Sequence, residues 1–134
     1  MSTFQIQVVS LDGLEYDGEV QRIRLRTIGG DVAILAGHTN YCTASGMGTA
    51  EITLEDSTKR SAACIGGMLS VMNGVCRVLP TTWEWEEEID VERAQRAKER
   101  AQQRLQDEKL SKVERVRAEA KLYRALVRLS AAHK

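Results

Sequence analysis

The sequence predicts a β-domain carrying a helical appendage. An all-β sandwich of about ten short strands fills residues 1–86, and an antiparallel two-helix hairpin fills residues 87–134. Three observations predict it. Up to Leu79 the chain runs in short apolar stretches, many of them alternating with polar residues, cut by Gly-containing turns about every eight to twelve residues. The single proline, Pro80, stands at the end of those runs. From Ile89 onward there is neither Pro nor Gly, and Ala, Arg, Glu, Gln, Lys and Leu, the strongest helix formers, dominate.

Taken in order, Phe4, Ile6 and Val8 alternate with Gln5 and Gln7, the pattern of a half-buried strand. Asp12-Gly13 and Asp17-Gly18 read as turns. Ile23 and Leu25 alternate with Arg22, Arg24 and Arg26, giving one inward face and one cationic face. Gly29-Gly30-Asp31 is a turn, Val32–Leu35 a short strand, and Ala36-Gly37-His38-Thr39-Asn40 a loop. Ile52 and Leu54 alternate with Glu51, Thr53 and Glu55. Ala62–Ile65 is apolar, and Gly66-Gly67 separates it from Met68–Val71. Asn73-Gly74 between two apolar runs is the strongest hairpin signal in the chain, and Val75–Leu79 completes the pair. Pro80 then ends the β-region.

In the helical segment, Ala94, Ala97, Ala101 and Leu105 fall at three- and four-residue steps, as do Ala118, Leu122, Ala125, Leu126 and Leu129. Gln106-Asp107-Glu108-Lys109 has no such periodicity. Ser111-Lys112-Val113-Glu114 matches a capping box, so a second helix starts there. Two helices of under twenty residues each, joined by a short turn, form an antiparallel hairpin. Their apolar stripe is narrow and made of small side chains, so burying it stabilises only modestly at about 25 cal/mol per Å².

A chain of 134 residues with zero net charge points to one small domain plus an appendage, and to neither nucleic acid nor an acidic partner. The balance hides an acidic stretch from Glu84 to Asp90 and a basic second helix. No apolar run is long enough to cross a bilayer, and the N-terminus enters a strand directly, the pattern of an intracellular chain without a signal peptide. Cys42, Cys64 and Cys76 are odd in number and lack C-x-x-C spacing, so they read as reduced, mostly buried thiols. No Ser-His-Asp set, H-E-x-x-H or zinc spacing is present, and His38 and His133 lie far apart in sequence. Catalysis by the chain alone is therefore disfavoured.

The order of these parts resembles the epsilon subunit of the bacterial rotary F-type ATP synthase. The likeness lies in Phe4-Gln5-Ile6-Gln7-Val8-Val9-Ser10, Tyr16-Asp17-Gly18-Glu19-Val20 and Gly37-His38 after Ile34-Leu35. It continues in Gly66-Gly67-Met68-Leu69-Ser70-Val71 and Arg117-Ala118-Glu119-Ala120. Ala36 and Asn40 depart from it, standing where the family has proline. The resemblance implies a non-catalytic central-stalk subunit on the cytoplasmic face of the membrane, peripheral and without bilayer insertion. Its sandwich would meet the gamma subunit and the c-ring and help couple proton (or sodium) flow to ATP synthesis. Its hairpin would permit hydrolysis when folded and resist it when extended towards the alpha and beta subunits. Gly30, Asp31, Gly37 and His38 are the candidate c-ring contacts, with plain turn structure as the alternative.

Ile89-Asp90-Val91-Glu92-Arg93-Ala94 matches the I/L-D-x-x-R-A motif of those epsilon subunits that bind ATP. By that resemblance Glu84, Ile89, Asp90, Arg93, Ala94, Arg100, Arg124 and Arg128 form an ATP site. The ligand is regulatory, Mg²⁺ its companion if any, and no cofactor is required. Arg93 and Arg100 share a helix face, as do Arg117, Arg124 and Arg128, and guanidinium forks suit phosphate oxygens. Three plainer readings compete: Asp90 as an N-cap, the arginines as solvated helix residues or contacts of the extended state, and the whole chain as a generic interaction module.

Overall fold

In the computed structural model, which describes residues 2–132, nine strands precede two helices. The strands are β1 (Phe4–Ser10), β2 (Gly13–Thr27), β3 (Gly30–Leu35), β4 (Tyr41–Ala44), β5 (Met47–Leu54), β6 (Lys59–Ile65), β7 (Met68–Met72), β8 (Val75–Leu79) and β9 (Thr82–Trp85). A 3₁₀ turn at Glu86–Glu88 leads to α1 (Val91–Leu105) and α2 (Lys112–Ala132).

The strands join in the order β4-β7-β8-β1-β2-β5-β6-β9, with β3 on β2. All neighbours are antiparallel except β1 and β8, which pair Gln5 with Val75 through Val8 with Val78 in parallel. The 15-residue β2 serves both layers of the sandwich. Its first half pairs with β1, and its second half lies between β3 and β5. The register slips between Val20 and Arg22, so Gln21 is the extra residue of a bulge. Gln21 is buried, and its side-chain amide donates to the Glu55 carbonyl at 2.9 Å and to Ser57 Oγ at 3.2 Å. The predicted alternation places Phe4, Ile6, Val8, Ile23, Leu25 and Ile52 in the core, where Leu69, Val71, Cys76 and Val78 join them.

Three expectations need correction. Asp17-Gly18 is no turn: Gln7 pairs with Asp17 and Ile6 with Gly18 inside the β1–β2 ladder. Gln5 donates to the Asp17 carboxylate across the strands, and the Tyr16 ring packs over Gly18, 3.5 to 3.6 Å from where a Cβ would stand. Pro80 does not end the β-region. It occupies the two-residue link to β9, outside any ladder, and Trp83 and Trp85 of β9 then enter the core. The helices are not both under twenty residues, since nothing in Ser130-Ala131-Ala132 breaks α2 and it runs to 21.

The hairpin sits on the sandwich through α2, which lies against β5 and β6. Its apolar seat is small: Ala63, Ile89, Val127 and Ala131 are buried together, with Met47 and Ala132 at the margin. Beside it, Arg60 of β6 lies 3.7 Å from the Trp85 ring centroid and pairs with Glu87 at 2.7 Å, which fixes the link between the two parts.

Candidate functional site: a cationic cleft between the helices

The cleft starts from alanine. Ala94 and Ala101 of α1, and Ala118 and Ala125 of α2, are buried, so the helix backbones approach closely along an apolar floor. Longer residues flanking that floor must rise as two walls. The ends are fixed by local chemistry. Asp90 caps α1, its Oδ1 accepting from the Arg93 N–H at 3.0 Å. Ser111 Oγ accepts from the Glu114 N–H at 3.2 Å while Glu114 accepts from the Ser111 N–H at 3.4 Å, so the predicted capping box opens α2. Arg115 donates to the Leu105 and Asp107 carbonyls, each at 3.2 Å, closing the end of α1.

The resulting cleft encloses about 670 Å³. Of the eight residues singled out for ATP, Glu84, Asp90, Arg93, Ala94, Arg100, Arg124 and Arg128 line it. Ile89 does not. It packs in the seat against the sandwich instead, where it anchors the hairpin. Sequence reasoning missed Arg104 and Lys121, which also line the cleft, together with Arg117. The signal was available: positions 117, 121, 124 and 128 form an unbroken helical stripe.

Two ion pairs close the cleft. Glu84 of β9 accepts from Arg128 Nε at 2.7 Å with both side chains about one-third exposed, linking strand to helix. Arg104 donates to Glu114 at 2.7 Å at the loop end. Between these pairs, Arg93, Arg100, Arg117, Lys121 and Arg124 make no ion pair among the described residues. The Glu114 carboxyl is held below its ordinary value, chiefly by the Ser111 hydroxyl and secondarily by the Ser111 N–H and Arg104. The arrangement can bind anions, and its three carboxylates are engaged, Glu84 with Arg128, Asp90 in the α1 cap and Glu114 with Ser111 and Arg104. Burial pushes the Cys64 and Cys76 thiols up to about 12, the reverse of an activated thiolate. Cys42, expected with the mostly buried thiols, is exposed.

The four candidate c-ring residues are not brought together. Gly30 and Asp31 begin β3 and Gly37-His38 follow its end, so roughly 20 Å of extended chain separates the pairs. Asp31 pairs with Arg26 at 3.7 Å and lines a smaller cleft beneath α2. His38 Nδ1 lies 2.8 Å from the Thr39 carbonyl, and its ring meets Tyr41 edge-on. His133 falls outside the described residues. No helix among the described residues is long and apolar enough to cross a membrane.

Comparison with known proteins covers nearly the whole chain. Residues 3–86 match the ATP synthase delta/epsilon chain β-sandwich domain, and residues 87–133 its long α-helix domain. The ATP synthase epsilon chain of Caldicellulosiruptor bescii is 41% identical over 132 residues, covering 98% of this chain and 95% of that one. The sodium-ion-specific epsilon chain of Acetobacterium woodii is 37% identical over 107 residues, 80% of each. A chain in the Euglena gracilis mitochondrial ATP synthase (OSCP/F1/c-ring) superposes with a TM-score of 0.85 at 25% identity, covering 100% of this chain and 83% of its own. Sandwich, hairpin and relatives agree: the chain belongs to the epsilon subunits of the F-type ATP synthase, non-catalytic components of its central stalk.

Proposed function

We propose that this subunit regulates ATP hydrolysis through its hairpin, and that ATP bound in the interhelical cleft stabilises the folded state. The observation that carries the proposal is the convergence of Arg93 and Arg100 from α1 with Arg124 and Arg128 from α2 on one cleft. Phosphate oxygens there meet guanidinium forks from both helices, so the ligand holds them together and binding favours the closed hairpin. At ten times its Kd such a ligand adds about 1.4 kcal/mol to the folded form, roughly a tenfold population shift. The small seat suits a two-state element, because only a few apolar side chains hold the hairpin against the sandwich. Mg²⁺ would reach the cleft with the nucleotide, since no group of three or more His, Cys, Asp or Glu among the described residues is placed to hold a metal.

In this reading the sandwich turns with the rotor against gamma and the c-ring, on the cytoplasmic face of the membrane. It helps couple proton (or sodium) flow to ATP synthesis. The extended hairpin lies along gamma and reaches the alpha and beta subunits. Support for a second docking state comes from α2, where Val113, Val116, Tyr123 and Leu126 stay exposed in the folded form. A second reading draws on Glu84 and Arg128, which already satisfy each other at 2.7 Å: the pair acts as a latch, and the hairpin inhibits without sensing nucleotide. Calorimetry decides between them. The expected result is one-site ATP binding in the micromolar to millimolar range, weakened about tenfold or more in Arg93→Ala. No heat at millimolar ATP would leave only the latch.

A further inference from the structure

The smaller cleft beneath α2 is built differently from the one between the helices. It lies beside the seat, where Thr49 Oγ1 of β5 donates to Ser130 Oγ of α2 at 3.4 Å, and encloses about 360 Å³. Its helix wall carries Tyr123 and Leu126, still 45% and 41% exposed with the hairpin folded. Its sheet wall carries Arg24 and Arg26 of β2. Asp31 offsets Arg26 at 3.7 Å. Arg24 is half-buried and makes no ion pair among the described residues. Glu51, its cross-strand neighbour, turns instead to Arg22 at 3.6 Å and Lys59 at 3.9 Å. Two arginines against one aspartate leave the lining a single positive charge, carried by a guanidinium partly withdrawn from water and opposite an apolar wall.

We propose that this cleft binds a small monocarboxylate with an apolar body, and that the bound ligand pins α2 to the sandwich. The carboxylate takes two N–H donors of the Arg24 fork, and the apolar body lies along Tyr123 and Leu126. One uncompensated charge matches a monoanion. At about 30 Å³ for each water-sized group, the volume houses roughly a dozen non-hydrogen atoms. Contacts from β2 on one side and α2 on the other make the ligand a tie between the two parts of the chain. Its effect on ATP hydrolysis rests on the mobile-hairpin reading above; the binding itself does not.

The test is an NMR titration of the full chain, without nucleotide, using 4-phenylbutyrate, its neutral amide, acetate and 2-phenylethyl phosphate. The expected result is saturable binding of 4-phenylbutyrate at about 1 mM or tighter, with shifts centred on Arg24, Thr49, Tyr123 and Leu126. The amide, lacking the charge, and acetate, lacking the body, bind about tenfold more weakly or worse. Arg24→Gln costs about tenfold in 4-phenylbutyrate affinity, and Leu126→Ser, at an exposed position, also weakens binding. Arg77→Gln, a charge removed from β8, changes nothing. Saturating 4-phenylbutyrate slows amide exchange in α2 of the wild type and not of Arg24→Gln. An amide that binds as well as the acid, or acid binding that survives Arg24→Gln, overturns the site. Tighter binding of the phosphate overturns the assignment to a monoanion, and binding without slower exchange in α2 overturns the pinning. ATP calorimetry on Arg24→Gln keeps the two readings apart: its outcome decides the nucleotide cleft alone, and the titration decides this one.

Discussion

A side chain at Gly67 has nowhere to go. An added Cβ would stand 2.1 Å from the Leu79 carbonyl oxygen and 2.6 Å from Pro80 Cα, both backbone atoms, and the residue's φ is +100°. Gly67→Ala is therefore expected to destabilise the sandwich by about 3 kcal/mol or more, measured by chemical denaturation. A loss below about 1 kcal/mol would show that β7 and the β8–β9 link are not held as described. The thiols report the core more directly. Burial raises Cys64 and Cys76 to about 12 from an ordinary 9.0, so the folded chain keeps them neutral where the unfolded chain ionises them. The stability this contributes is complete below the ordinary value and is lost as pH rises from there through about 12. At neutral pH a thiol reagent should modify exposed Cys42 alone, with Cys64 and Cys76 reacting only on unfolding.

Among the elements, the hairpin depends on its seat and its caps. Ile89→Ala removes the one large residue that the link contributes to the seat, at a cost of about 2 kcal/mol or more. Faster amide exchange throughout α2, with the sandwich unchanged, is the expected readout. Ser111→Ala breaks the capping box and costs about 1 kcal/mol, concentrated at the start of α2. The depressed Glu114 carboxyl makes the same point through pH. Its contribution is present above the ordinary carboxylate value and fades as pH falls through the lowered one, so acid should loosen the loop, read as faster amide exchange at the start of α2. These caps were legible in the sequence because they are local: Asp90 and Ser111-x-x-Glu114 satisfy donors within one turn. The strands were legible where alternation marked one buried face. β9 was not, because its Trp83 and Trp85 follow the proline that elsewhere signals an end. Nor was the course of β2, since a cross-strand contact to Gln5, rather than anything local, holds Asp17 extended. In the cleft, spacing revealed which arginines share a face but not that Ile89 turns away from them, which depends on where the sandwich lies.

For the molecule as a whole, the two parts are held by unequal means. The sandwich is tied by long ladders around a continuous core, whereas the hairpin adds a small apolar seat and a cleft in which cations outnumber acids. Repulsion across that cleft opposes closure, and salt screens it over a Debye length of about 10 Å at 0.1 M. Raising ionic strength from about 10 mM to about 300 mM should therefore slow amide exchange in α1 and α2 while leaving the sandwich unaffected. The opposite result would mean that the Glu84–Arg128 and Arg104–Glu114 attractions dominate. The parallel partnership of β1 with β8 carries its own consequence for how the protein is made. Gln7 meets Arg77 across a separation of 70 residues, so the first strand off the ribosome can zip early to β2 on one side only. Its other border stays open until Val75–Leu79 has been synthesised, and during that wait the nascent chain offers a sticky template that a chaperone or a neighbouring polypeptide can seize.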